Sequence, residues 1–223
     1  MGRLFAIGDI HGCHGALTTL LEKIKPDREV DRVIFLGDYI NRGEHSDRVI
    51  DSLIEYKKMH PRTVFLKGNH EVMFINYLDD RNKLLFLQSG GRETLYSYGI
   101  IPPSVEQARR NIPESHKQFL HDLLPYWEEQ DYIFVHAGFK KGRHPSLQND
   151  EWLYWAEKEK FMAQTFPEDH KKIIFGHFAH EKPVIMNDKI GIDSGAVYGG
   201  ALTCLILPDM QFLSVKTVDT GCQ

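Results

Sequence analysis

The chain has 223 residues, a formal net charge of −4, and 42% hydrophobic against 26% charged residues, the make-up of an ordinary soluble globular protein. No apolar stretch approaches the length of a membrane span, and the mild acidic balance gives no global attraction for nucleic acid. Neither a membrane nor a nucleic acid is an expected partner, so a polyanionic substrate has to be drawn in by local positive charge.

The length suits one α/β domain over residues 1–223. The first apolar run, Leu4-Phe5-Ala6-Ile7, stops at Gly8-Asp9-Ile10-His11-Gly12. Four apolar residues are too few for the core of a signal peptide, and Ala6 stands where a myristoylation signal needs Ser or Thr. Leu17, Leu20, Leu21 and Ile24 then share one face of a helix that Pro26 closes. A second run, Val33-Ile34-Phe35-Leu36, stops at Gly37-Asp38. Ser46 or Asp47 next caps a helix carrying Val49, Ile50, Leu53 and Ile54, which His60-Pro61 ends. The third run, Thr63-Val64-Phe65-Leu66, stops at Lys67-Gly68-Asn69-His70-Glu71. Up to that point the order is β-α-β-α-β, which implies parallel strands and right-handed crossovers.

From Glu71 to about Glu129 the pattern is helical and holds no comparable strand run, so residues 71–129 read as a helical insertion over the site. Strands return at Tyr132-Ile133-Phe134-Val135, which stops at His136-Ala137-Gly138, and at Ile173-Ile174-Phe175, which stops at Gly176-His177. Val184 to Met186, Ile190 to Asp193, Ala201 to Leu207 and Gln211 to Val218 complete the set, with a hairpin turn at Pro208-Asp209. The expected fold class is α/β: two packed, partly mixed β-sheets flanked by helices.

The five polar stops carry the functional signal. Each run is strand-length and apolar on both faces, and ligand sites in open α/β sheets gather at the carboxyl ends of such strands. Asp9 and His11, two apart, can turn their side chains to one side and grip an ion. Asp38 offers two oxygens that can bridge two ions, and Asn69, His136 and His177 complete a second site. Mixed oxygen and imidazole ligands suit Mn, Fe or Zn better than Ca. Two such ions polarise a phosphoryl group and hold a bridging hydroxide as nucleophile, so hydrolysis of a phosphate ester or anhydride is the implied chemistry. The other histidines, His14, His45, His60, His116, His121, His144 and His170, lie in polar or helical contexts and read as surface residues. Cys13, Cys204 and Cys222 are odd in number and lack CxxC spacing. They point to a reducing compartment, the cytoplasm, with no disulfide frame and with Cys13 a small buried residue.

Gly8-Asp9-Ile10-His11-Gly12, Gly37-Asp38-Tyr39-Ile40-Asn41-Arg42-Gly43, Gly68-Asn69-His70-Glu71, His136-Ala137-Gly138 and Gly176-His177 resemble the signature blocks of the phosphoprotein phosphatase (PPP) family of calcineurin-like metallophosphoesterases. The stretches Gly90 to Gly99 and Ile192 to Gly200 resemble its small bacterial and lambda-phage type serine/threonine protein phosphatases. The resemblance implies two divalent ions, Mn first with Fe or Zn open, held by Asp9, His11, Asp38, Asn69, His136 and His177. It implies His70 as the general acid that protonates the leaving oxygen, and Arg42 as the fork on phosphate oxygens.

Three positions depart from the family pattern. Asn41 replaces the Asp that normally pairs with the catalytic His; an amide can accept a hydrogen bond but brings no charge, so His70 is expected to be protonated less often. Near Trp152-Leu153-Tyr154-Trp155 a phosphate-binding Arg is missing and Glu157 or Lys158 stands in its place, Lys158 being the one able to bind substrate; the aromatic cluster itself reads as core. Phe178 replaces a common Thr, with an effect the sequence leaves open. The expected function is a dinuclear-metal phosphatase acting on phosphomonoesters, foremost phosphoprotein at Ser or Thr, with Tyr open. The alternatives are a symmetric dinucleoside tetraphosphate hydrolase, which Gly12-Cys13 and Asn41 also resemble, and a metal-binding pseudophosphatase. The oligomeric state is left open.

Overall fold

The computed structural model describes residues 2–219 and Cys222. Ten strands form two five-stranded sheets. The first half supplies β1 (Leu4–Ile7), α1 (His14–Lys23), β2 (Arg32–Phe35), α2 (Ser46–Met59) and β3 (Val64–Phe65). Five helices follow: α3 (Asn69–Leu78), α4 (Lys83–Phe86), α5 (Arg92–Ser97), α6 (Val105–Asn111) and α7 (Glu114–His121). The second half adds β4 (Tyr126–Glu129), β5 (Tyr132–Val135), α8 (Asp150–Trp155), α9 (Lys158–Met162), β6 (Lys172–Phe175), β7 (Val184–Ile185), β8 (Lys189–Gly191), β9 (Ala201–Leu207) and β10 (Gln211–Lys216).

One sheet has the order β10-β9-β1-β2-β3 and the other β4-β5-β6-β8-β7. Strands β1, β2 and β3 are parallel to one another, as are β5, β6 and β8, and the remaining strands pair antiparallel at the flanks. Strand alternation explains why the central runs are apolar throughout. Leu4, Ala6, Ile34, Leu36, Phe134, Ile174 and Ile190 fill the space between the sheets. Their neighbours Phe5, Ile7, Val33 and Phe35 pack outward on the helices of the first half, and Ile133, Val135, Ile173 and Phe175 pack on α8 and α9. The layers are therefore helix, sheet, sheet, helix.

Three expectations need correction. The segment read as helical up to Glu129 ends in strand β4, which pairs with β5 from Tyr126↔Val135 to Glu129↔Tyr132. The mixed composition of Tyr126-Trp127-Glu128-Glu129 hid this edge strand, because only one of its neighbours is a sheet strand. His116 is buried rather than superficial, its ring held between the Tyr98 hydroxyl (2.8 Å) and the Asp51 carboxylate (2.8 Å). The cysteines are also paired after all: a disulfide joins Cys13 to Cys222, 209 residues apart in sequence, with Cα atoms 4.3 Å apart, while Cys204 stays a buried thiol. Cys13 is buried as expected.

Candidate active site

The parallel strands of both sheets run to the same edge, and the loops leaving them carry the predicted residues. β1 leads to Asp9 and His11, β2 to Asp38, β3 to Asn69 at the start of α3, β5 to His136 and β6 to His177. A sixth stop, unread in the sequence, is Asp193, just beyond β8 and 6% exposed. These loops are bent into backbone that side chains avoid. His11 (φ 48°), Asp38 (54°), Asn41 (72°), Arg42 (71°) and His177 (63°) all lie in the left-handed region. That conformation costs an L-residue about 1–2 kcal/mol each, so the surrounding structure has to hold it.

Glu71 is one of the holders. Fully buried in α3, its carboxylate accepts the backbone N–H of Asp38, Tyr39 and Gly68, each at 2.9 Å. It thereby ties the loop after β2 to the loop after β3. Gly68 and Gly176 leave room for carboxylates: a Cβ at either would lie against Asp38 Oδ1 or Asp9 Oδ1.

The donor set has a defined protonation pattern. His11 Nδ1 lies 2.9 Å from the Ile40 carbonyl and His136 Nδ1 lies 2.9 Å from the Leu36 carbonyl. A carbonyl only accepts, so each Nδ1 donates and each Nε2 carries a lone pair. Those lone pairs face oxygen acceptors: Asp38 Oδ2 is 3.4 Å from His11 Nε2 and 3.5 Å from His136 Nε2, and Asn69 Oδ1 is 3.0 Å from His136 Nε2. The His136 Nε2 lone pair and the Asp38 carboxylate converge without a proton between them, and a cation there relieves their repulsion; the His11 Nε2 lone pair meets the Arg42 guanidinium instead. Burial lowers the His136 imidazole to about 4, and burial together with His136 and Arg42 lowers His177 to about 3, so both are neutral donors at physiological pH. Burial raises the Asp38 carboxyl to about 7, and burial with the neighbouring Asp193 and Asp38 raises Asp9 well above the carboxylate range. Clustered carboxylates of this kind favour a bound cation.

Two groups bring their ligand atoms within 4.8 Å of one another: His11, Asp38 and His70, and Asp38, His136 and His177. Asp38 belongs to both. Asp9 lies beside this pair of groups, its carboxylate accepting the His177 N–H at 3.0 and 3.2 Å. Within the first group His70 Nε2 is 3.9 Å from Asp38 Oδ2, and its ring meets that of His11 edge-on at 4.6 Å.

Asn41 meets His70 as the sequence implies, but with the opposite polarity. Its amide Nδ2 lies 2.8 Å from His70 Nδ1, while its Oδ1 accepts the Thr94 hydroxyl at 2.7 Å. Asn41 donates rather than accepts, which fixes the His70 proton on Nε2. Thr94, 53 residues away and unpredicted, also accepts the Asn41 N–H at 2.8 Å and so sets the amide's orientation. Arg42 reaches into the donor cluster, Nη1 2.6 Å from His11 Nε2 and guanidinium 5.3 Å from the centre of the Tyr198 ring.

Of the two residues offered in place of the missing Arg, Glu157 is exposed and pairs with Lys160 at 2.7 Å. Lys158 is half-buried, and its charge is felt by Asp193 and His180, so it borders the site. The Trp152 to Trp155 cluster is core packing, with Leu153 and Tyr154 buried. Phe178 is buried among Phe161 and Phe175 and packs edge-on to His177 at 4.8 Å, which gives it a role in seating that imidazole.

A model of the calcineurin-like phosphoesterases matches residues 2–205. The chain belongs to that family. It is a hydrolase of phosphoesters, and the His and Asp groups above are compatible with the two divalent ions that calcineurin-like phosphoesterases bind. Among curated relatives, the asymmetrical bis(5'-nucleosyl)-tetraphosphatase PrpE of Bacillus cereus (strain B4264) is 28% identical, over 95% of this chain and 93% of its own length. Among solved structures, a cold-active protein-tyrosine phosphatase of a psychrophilic Shewanella species superposes with a TM-score of 0.71 at 17% identity, over 97% of this chain and 81% of that one. A Saccharomyces cerevisiae protein serine/threonine phosphatase with similarity to human phosphatase PP5 gives 0.61 at 17% identity, over 96% and 79%. At those identities the structural likeness is one of fold. Among the described residues no helix is long and apolar enough to cross a membrane.

Proposed function

We propose that this calcineurin-like phosphoesterase is a single catalytic domain that hydrolyses a phosphoanhydride bond of dinucleoside polyphosphates. Asp9, His11, Asp38, Asn69, His136 and His177 would hold two divalent ions, Mn first. When bound, such ions polarise a phosphoryl group and acidify water. Arg42 would orient phosphate oxygens through its planar fork, and Lys158 would add a point charge at the rim.

The observation that carries the substrate class is the Asn41 amide nitrogen 2.8 Å from His70 Nδ1. A neutral imidazole with its proton on Nε2 can hydrogen-bond a leaving oxygen, but no carboxylate beside it stabilises the imidazolium needed for full proton transfer. The alkoxide leaving from a serine phosphate is a strong base and depends on that transfer. The phosphate leaving from an anhydride is a weak base and does not. The relatives named asymmetrical tetraphosphatases support this ordering, and they favour an asymmetrical cut over the symmetrical one considered from the sequence.

The second reading is a phosphoprotein phosphatase. It is favoured by the Gly90 to Gly99 segment, which resembles protein phosphatases and is built around Arg42: the Gly90 carbonyl accepts the Arg42 N–H at 3.0 Å, and a Cβ at Gly90 would meet the Arg42 backbone. Purified protein with Mn, assayed in parallel on diadenosine tetraphosphate and a phosphopeptide, separates the two. Faster turnover of the nucleotide to ATP and AMP is expected. Two ADP would place the cut at the centre, faster peptide turnover would reverse the order, and bound metal without turnover of either would mean a pseudophosphatase. A nucleotide substrate fits a cytoplasmic location, although the Cys13–Cys222 bond removes the cysteine argument for it.

A further inference from the structure

Beside Tyr198, whose ring Arg42 reaches from the donor cluster, lies a cavity of about 360 Å3 lined by His180, Glu181, Ser194 and Tyr198 among others. Its size falls in the range of small-molecule sites. Two of its side chains suit a ligand. Tyr198 is 65% exposed, an unusual state for a large ring, and it sits on a short turn held by Gly195 (φ 67°) and Gly199 (φ 84°). His180, its backbone N–H on the Asp193 carbonyl at 3.1 Å, forms part of the wall. Glu181 adds an acceptor, which repels phosphate and suits an exocyclic amine.

The geometry points to a nucleobase subsite in this cavity, in which the base of the nucleoside adjoining the scissile phosphate stacks on Tyr198 and offers its exocyclic amine to Glu181. The inference rests on the nucleotide reading proposed above. Arg42 joins the two halves: one guanidinium nitrogen is 2.6 Å from the ligand histidine His11, and the guanidinium lies 5.3 Å from the Tyr198 ring centre. A phosphate on Arg42 therefore puts its own nucleoside beside Tyr198. The cationic Arg42 lies toward the phosphate end, and the acceptor Glu181 lines the base end.

The test compares AMP with ribose 5-phosphate as competitive inhibitors of p-nitrophenyl phosphate hydrolysis by the Mn-loaded protein. Wild type is expected to bind AMP about 10- to 100-fold more tightly, the range of one base stacked on one aromatic side chain. Tyr198→Ala should bring that ratio close to unity, Tyr198→Phe should keep most of it, and Glu181→Ala should lower it severalfold. A wild-type ratio near unity overturns the subsite. So does a Tyr198→Ala variant that weakens both inhibitors equally, because Tyr198 would then only prop Arg42. Since the reporter is p-nitrophenyl phosphate, failure to cleave diadenosine tetraphosphate is seen separately and would count against the nucleotide reading itself.

Discussion

Replacing Asn41 with Asp asks how much acid catalysis the site gives up by lacking a carboxylate beside His70. The substitution is isosteric, and both new oxygens find partners already in place: one faces His70 Nδ1, where Nδ2 now stands at 2.8 Å, and the other keeps the Thr94 hydroxyl at 2.7 Å. The proton on His70 then moves to Nδ1, and the imidazolium gains a counter-charge. Two unit charges at 2.8 Å attract by about 6 kcal/mol at an effective dielectric of about 20. Taking a carboxylate into a fully buried position offsets part of that, and the His70 imidazolium is still held more firmly than beside the amide. General acid catalysis supplies about 10²- to 10⁴-fold where the leaving group needs it, so Asn41→Asp should raise kcat/KM on alkyl phosphates about 10- to 100-fold. p-Nitrophenyl phosphate and diadenosine tetraphosphate, with weakly basic leaving groups, should change little. A leaving-group series of phenyl and alkyl phosphates is the assay, and the plot of log kcat/KM against leaving-group pKa should be shallower in the variant. An unchanged slope would refute the account of Asn41.

Thr94→Val keeps shape but leaves the Asn41 carbonyl and part of its N–H demand unpaired, which should cost about 1–3 kcal/mol in denaturant unfolding and slow turnover without loss of bound metal. Asp188→Asn should be costlier, about 3–5 kcal/mol, because Lys189 is fully buried between Phe161 and Phe166 and loses its counter-ion at 3.1 Å. Burial pushes the Asp188 carboxyl up, but the Phe166 N–H and Lys189 outweigh it and hold the group below its ordinary value. Its stabilisation is therefore full above about pH 4 and lost as pH falls through the depressed folded value, so the variant should show a flatter acid limb of stability. Cys222→Ser releases a link that closes most of the chain into a loop, and should lower Tm by roughly 5–15 °C under non-reducing conditions and not at all under reductant.

The metal-ligand candidates were legible because a two-faced apolar strand can end only where polar chemistry begins, and six parallel strands end on one edge. Asp193 escaped notice because β8 is short and its run carries Gly191 just before the stop. Thr94 could not be read, because it sits within a helix 53 residues from its partner. The polarity of the Asn41 contact likewise depends on Thr94, a long-range neighbour that spacing does not reveal. Lys158 and Glu157 were separated only by which of them turns toward Asp193. The pairing of Cys13 with Cys222 defeated composition for the same reason, since the partner lies 209 residues away.

Six strand-end residues are proposed to hold two divalent ions around Asp38, with phosphoester hydrolysis depending on them. Metal content after dialysis against Mn, measured by plasma mass spectrometry beside p-nitrophenyl phosphate turnover, is the decisive measurement. Two Mn per chain are expected in wild type, the loss of at least one in Asp38→Ala, and activity that vanishes with chelation and returns with Mn. Full turnover by the metal-free protein, or an Asp38→Ala chain that still holds two ions, would contradict it.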